Sequence, residues 1–169
     1  MARAKPADLT LIRINSILED VLALVQQQAI ERNIQIEDEL DDNIDFIYGD
    51  PDQLKQVFLN IVKNSFEAMN EGGKLIIKTH FKAEPAPGWV EVVFADNGPG
   101  IKKENLPSLF QPFFTTKLRG TGLGLALCRR IIAERHNGKI FIESEEGKGT
   151  IVKLELPKTQ GSKVVGEHS

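Results

Sequence analysis

Apolar positions recur along this chain with two different periods, and the alternation between them lays out the elements before any single residue is considered. Ile17, Leu18, Val21, Leu22, Leu24 and Val25 have helical spacing and predict an amphipathic helix ending near Arg32-Asn33. Ser16-Ile17-Leu18-Glu19 reads as its capping box. From Ile34 to Glu37 the pattern switches to strict alternation, a strand, and Asp45-Phe46-Ile47-Tyr48 is expected to pair with it as a hairpin across an acidic turn. The acidic run Glu37 to Asp45 reads as a solvated edge rather than a metal site. Asp50-Pro51-Asp52-Gln53 then opens a second helix, with Asp50 as N-cap, Pro51 in the first turn and Gln53 closing a box. On that helix Leu54, Val57, Phe58, Leu59, Ile61, Val62, Phe66 and Met69 cover one broad arc, while Gln56, Asn60, Lys63, Asn64 and Glu67 share the remainder.

Gly72-Gly73 turns the chain into a strand from Lys74 to Phe81, and Ala83 to Gly88 is a hairpin loop to the next. That next strand, Val90 to Ala95, is rich in branched and aromatic residues and delivers Asp96 at its end. From Asp96 to Leu125 the chain reads DNGPGIKKENLPSLFQPFFTTKLRGTGLGL, with glycines clustered at both ends. Its middle has no period over roughly twenty residues, which predicts a functional lid at about 101–121, packed down by Phe110, Phe113 and Phe114. After Gly122, residues Leu123, Leu125, Ala126, Leu127, Ile131, Ile132 and Ala133 return to helical spacing. Lys139 to Ser144 and Thr150 to Leu156 are the last two strands, joined by Gly147-Lys148-Gly149. Residues 1–13 read as a lead-in with little pattern, and the polar stretch 158–169 as a disordered tail.

Composition narrows the class. At 169 residues, 41% hydrophobic and 27% charged, the chain is long enough for one domain with a proper core. A net charge of −3 gives no reason to expect nucleic-acid binding, so any polyanionic ligand has to be held by local groups. No apolar run approaches the ~20 residues of a membrane helix, and Met1-Ala2-Arg3-Ala4-Lys5 leads into no signal-peptide core, which together predict a soluble, cytoplasmic domain. The single cysteine, Cys128, reads as a buried small hydrophobe.

Two features suggest chemistry. A carboxylate at the end of a buried strand, followed by glycines, can accept a hydrogen bond from an exocyclic amine while the turn leaves room for a flat ring, although Asp96-Asn97-Gly98-Pro99-Gly100 is also an ordinary turn composition. Asn60 and Asn64 lie four residues apart on a polar helix face where Glu, Lys or Gln would be more usual, and an amide oxygen can ligate Mg²⁺.

Taken in order, N-xxx-N on a helix, D-N-G-P-G after a strand, F-xx-F-F with T-T-K, G-T-G-L-G-L and a late G-K-G-T resemble the ATP-binding catalytic domain of bacterial sensor histidine kinases, in which these are the N, G1, F, G2 and G3 blocks. The wording is most similar to the nitrogen-regulation class of those kinases. The resemblance covers about Asn60 to Thr150 and implies the Bergerat or GHKL fold, a two-layer α/β sandwich with a mixed sheet of about five strands and about three helices on one face. Residues 14–157 would then be the catalytic domain, and 1–13 would lead in from a dimerisation and phosphoacceptor segment absent from this chain.

The resemblance also implies roles. Asp96 would hold the adenine amine with Thr150 supporting it through water, Gly98 and Gly100 would let the base approach, and Asn64 would ligate Mg²⁺. Lys117 and the backbone of Gly120, Thr121, Gly122, Leu123 and Gly124 would meet the phosphates of ATP. In related ATP hydrolases such as the gyrase B subunit a glutamate stands where Asn60 stands; an amide cannot act as general base, so the site is expected to hold ATP without rapid hydrolysis. None of His80, His136 and His168 has the acidic neighbour typical of an acceptor histidine, so the substrate histidine would come from another segment or chain, with a response regulator as an indirect partner. The isolated domain is expected to be monomeric. The alternatives are a serine kinase of the anti-sigma-factor type, a non-catalytic ATP-dependent interaction module, and a clamp ATPase.

Overall fold

In a computed structural model of the chain, residues 9–44, 46–69, 72–109 and 124–158 are described. Its elements run β1 (Thr10–Ile12), α1 (Ile14–Glu31), β2 (Ile34–Glu39), β3 (Ile47–Gly49), α2 (Pro51–Met69), β4 (Gly73–Lys82), β5 (Trp89–Asp96), a 3₁₀ turn (Lys103–Ser108), α3 (Gly124–Arg129) continuing as a π turn (Arg130–Arg135), β6 (Lys139–Glu145) and β7 (Gly149–Pro157). The strand richest in branched and aromatic residues, β5, lies in the middle of a five-stranded sheet of order β2-β4-β5-β7-β6. Val90, Val92 and Phe94 point to one side and are essentially buried against Val21 of α1, Phe58 and Phe66 of α2, and Ile132 of the π turn. This is a mixed α/β two-layer arrangement, as expected from the sequence. Among the described residues no helix is long and apolar enough to cross a membrane.

The other side of the sheet carries cross-strand charge. Lys74 pairs with Glu37 at 2.8 Å, and Glu91 takes Lys82 at 3.1 Å and Lys153 at 3.9 Å, with His80 Nε2 against its second oxygen. Burial works to raise the Glu91 carboxyl, but the Lys82 and His80 hydrogen bonds outweigh it and hold the group below its ordinary range.

Four expectations are corrected, three of them in pairing and in the start of α1 and one at the start of α2. Ile34–Glu39 is not the first arm of a hairpin: β2 runs parallel to β4, from Ile34↔Gly73 to Glu39↔Lys78, with α2 in the connection between them. A parallel neighbour requires such a crossover, and the amphipathic α2 supplies it. β3 pairs instead with β1, Thr10↔Gly49 to Ile12↔Ile47, so the lead-in contains a strand. The capping box at Ser16 is not used either; α1 begins at Ile14 with Arg13 as an N-cap that makes no side-chain bond. Ile14 is fully buried, and Asn15 donates to the Asp41 carbonyl at 2.8 Å and accepts from Thr79 Oγ1 at 3.0 Å, so tertiary contacts set this start.

The start of α2 is capped as expected, Asp50 Oδ1 accepting from Asp52 N at 3.1 Å and Gln53 N at 3.2 Å. Gln53 does not close the box, because its Oε1 accepts from Arg135 Nε at 3.1 Å while Asp50 N donates to His136 Nε2 at 2.9 Å. Arg135 also reaches Asp50 Oδ2 at 3.2 Å. His136 is buried, with Nδ1 donating to the Ile131 carbonyl at 3.0 Å, so both ring nitrogens are used by a neutral imidazole.

Burial, with Arg135 adding to it, lowers the His136 pKa, against the Ile131 bond and Asp50, which pull it up. The unfolded chain therefore binds this proton more readily, and stability present above the ordinary value of 6.5 is lost as pH falls through the folded-state pKa. Thermal unfolding between pH 8 and 5 is expected to show that loss in the natural sequence, and His136→Gln to lower stability by about 1–3 kcal/mol at pH 8 while flattening the dependence.

Candidate functional site

Asp96 is the last residue of β5, directly across from Leu75 of β4 and Thr150 of β7. Its Oδ1 accepts from Gly98 N at 3.0 Å and Thr150 N at 3.3 Å. Among the described residues Oδ2 accepts no hydrogen bond, and the side chain is half-buried. One carboxylate oxygen is thus tied to backbone, and among the described residues the other is left to a donor.

The loop after Asp96 is laced to the β6–β7 hairpin. Gly147 N donates to the Pro99 carbonyl at 2.6 Å, and Ile101 N donates to Ser144 Oγ at 2.8 Å. Ser144 Oγ also lies 2.9 Å from the Gly149 carbonyl and 2.8 Å from Thr150 Oγ1. Two glycines make this closeness possible. Gly100 has φ +78°, and a Cβ there would stand 2.2 Å from the Glu145 carbonyl oxygen; Gly149 has φ +121°, and a Cβ there would stand 2.1 Å from the Asp96 carbonyl oxygen. Backbone packing against β6 is therefore reason enough for Gly100.

The C-terminal end of α2 adjoins this loop. Met69, roughly 8 Å along the helix from Asn64, lies beneath Gly98, where a Cβ would come 3.2 Å from Met69 Cγ. Asn64 is half-buried and faces the start of α3: its Nδ2 lies 3.9 Å from where a Cβ on Gly124 would be. Asn60, one turn earlier, lies by the Cys128 thiol, which donates to the Val57 carbonyl at 3.9 Å; burial pushes the thiol pKa up to about 12, against Asn60, which pulls it down. Cys128 is thus a buried thiol, as expected. Glu67 is exposed.

Of the residues singled out from sequence, Asp96, Gly98, Gly100 and Thr150 come together in one loop cluster, and Asn60, Asn64 and Gly124 form a second group where α2 meets α3. Lys117, Gly120, Thr121, Gly122, Leu123 and the phenylalanines Phe110, Phe113 and Phe114 lie outside the described residues. The sequence reading missed Ser144, whose signal was a hydroxyl at the third core-facing position of β6 after Ile140 and Ile142. It also missed Arg135 and His136, which hold the start of the helix that carries both asparagines.

As a place for Mg²⁺ the donor chemistry fits. Among the described residues no three His, Cys, Asp or Glu side chains cluster, so a cation here would take the Asn64 amide oxygen, waters and a ligand's own oxygens, which suits a hard ion that keeps much of its hydration.

Residues 49–160 match the family model described as histidine kinase-, DNA gyrase B-, and HSP90-like ATPase. The chain belongs to this family. It is 42% identical over 149 residues to sporulation kinase E of Bacillus subtilis (strain 168), covering 88% of this chain but 20% of that kinase, so it spans about a fifth of that relative. The catalytic domain of histidine kinase ThkA, in a nucleotide-free form, superposes with a TM-score of 0.78 at 38% identity, covering 89% of this chain and 96% of that one. ThkA in complex with response regulator protein TrrA matches at 0.74 and 34%, over 89% of this chain and 42% of that one. Full-length ShkA in complex with AMPPNP matches at 0.79 and 27%, over 92% of this chain and 32% of that one. Family and fold therefore agree with the histidine-kinase ATPase domain that the glycine and asparagine blocks resemble.

The hairpin gives a direct test of the backbone packing. Gly147 and Gly149 both have positive φ, but a Cβ at Gly147 meets nothing within 4 Å. Gly147→Ala is expected to cost about 1–2 kcal/mol from backbone strain alone. Gly149→Ala, which drives a methyl into the Asp96 carbonyl, is expected to cost several kcal/mol more in urea unfolding.

Proposed function

We propose that this domain binds Mg-ATP and transfers the γ-phosphoryl group to a histidine on a dimerisation and phosphoacceptor domain outside this chain, as a step in two-component signalling. The observation that carries the reading is the Asp96 carboxylate, with Oδ1 fixed by the Gly98 and Thr150 amides and Oδ2 left to a donor. A carboxylate held this way accepts from the exocyclic amine of adenine without reorganising. The AMPPNP complex of ShkA and the family membership support the same ligand class.

Phosphoryl transfer asks the protein mainly for positioning and charge neutralisation. The Asn64 amide oxygen would orient Mg²⁺ when it is bound, and the cation would neutralise charge on the phosphates. Lys117 and the backbone of Gly120, Thr121, Gly122, Leu123 and Gly124 would receive the phosphates, and Gly98 and Gly100 would keep the base close to Asp96. Asn60 offers an amide where a hydrolase needs a base, and an amide cannot activate water by taking its proton. We assign the chain to a nitrogen-regulation-like kinase, with the domain in the cytoplasm, monomeric in isolation, and in indirect contact with a response regulator through its phosphoacceptor partner.

Calorimetric titration with ATP and a slowly hydrolysed analogue, with and without Mg²⁺, tests this. Asp96→Ala is expected to weaken binding by about 10- to 100-fold, as for loss of a charged hydrogen bond. Asn64→Ala should abolish the Mg²⁺ dependence while leaving metal-free binding in place. No binding by the natural sequence would end the kinase reading, and steady release of ADP from the isolated domain would favour a clamp ATPase.

A further inference from the structure

The polar cluster behind Asp96 favours one arrangement of protons over the other, and the favoured one bears on the base. Ser144 Oγ has three partners: Ile101 N at 2.8 Å, the Gly149 carbonyl at 2.9 Å and Thr150 Oγ1 at 2.8 Å. A serine hydroxyl has one proton and two lone pairs. The Ile101 amide can only donate and the Gly149 carbonyl can only accept. If Ser144 gives its proton to Gly149, the contact with Thr150 must be a donation from Thr150, and all three bonds are made. If Ser144 gives its proton to Thr150 instead, two oxygens 2.9 Å apart are left with no proton between them. The first arrangement is the favoured one.

Thr150 stands opposite Asp96 in the β5–β7 ladder, and its amide already donates to Asp96 Oδ1. With its hydroxyl proton committed to Ser144, the Thr150 hydroxyl has only its two lone pairs to offer, and joins Asp96 Oδ2 as an acceptor. These two side chains then offer acceptors only. A 6-amino group in direct contact can donate to such a pair, whereas a 6-oxo group in the same place faces lone pairs and leaves both acceptors unpaired.

We propose that Ser144 is a positioning residue of this pocket, which turns the Thr150 hydroxyl into an acceptor and so selects 6-aminopurine over 6-oxopurine nucleotides. The proposal rests on the nucleotide-binding reading above and adds a residue and a polarity to it. Ser144 also ties Ile101, where the Asp96 loop leaves toward the 3₁₀ turn, to the end of β6.

The test compares ATP with inosine triphosphate, which carries a 6-oxo group in place of the 6-amine, by titration against the natural sequence, Ser144→Ala and Ser144→Thr. Ser144→Ala frees the Thr150 hydroxyl to donate, so the ATP-to-ITP affinity ratio is expected to fall roughly tenfold, mostly through weaker ATP binding. Ser144→Thr keeps the hydroxyl on a strand position suited to a branched residue and should restore the ratio. In a Thr150→Val background, Ser144→Ala should leave the ratio where Thr150→Val set it. An equal loss of both nucleotides in Ser144→Ala would overturn the proposal and leave Ser144 as a prop. Amide hydrogen exchange, read without nucleotide, should quicken at Ile101 in Ser144→Ala and not in Ser144→Thr; unchanged exchange at Ile101 in both would also overturn it. If the natural sequence binds neither nucleotide, the nucleotide reading itself falls, and the exchange data still report whether the Ser144 bond exists.

Discussion

Everything at this site depends on the register between β5 and β7. The ladder runs from Trp89↔Pro157 to Asp96↔Thr150, and because side chains alternate along a strand, a slip of one residue would exchange the two faces. Asp96 would leave the helix side and join the layer of Glu91, while Glu91 would be driven beneath α2. The register is held by Val90, Val92 and Phe94 against Leu156, Leu154 and Val152 on the inside, and by Glu91 with Lys82, Lys153 and His80 on the outside. Buried apolar contacts on one face and a satisfied carboxylate on the other give the same answer.

The asparagines depend on a second constraint, the rotation of α2 about its own axis. Leu54, Val57, Phe58, Ile61, Val62, Phe66 and Met69 are buried and leave Asn60 and Asn64 facing α3. At the N-terminus, Asp50 caps the helix while its own amide donates to His136 Nε2 and its Oδ2 accepts from Arg135. The π turn after α3 therefore clamps α2 at one end, and the Met69 contact with the Asp96 loop holds it at the other.

Much of this was legible in the sequence, for physical reasons. The α2 cap and its apolar arc follow from local chemistry, as do the positive-φ turn at Gly72-Gly73 and the run of branched residues that ends at Asp96. What stayed hidden was set by partners far along the chain. Nothing local says that three residues at Thr10–Ile12 will find Ile47–Gly49, or that Ile34–Glu39 will lie parallel to β4 instead of folding back on β3. The Ser16 box failed because burying Ile14 and Asn15 outweighed a cap. Ser144 was invisible because a serine near a strand end is ordinary until its three partners are known.

Among the described residues the five-stranded sheet ends at β2 and β6 with no further strand paired to either, and an open edge is a template on which another strand can add. On β2 the residues that run out along that edge are Glu37, Asp38 and Glu39, followed closely by Asp41 and Asp42. Two copies meeting edge to edge would bring these carboxylates together. The acidic run thus guards that edge against strand addition and aggregation.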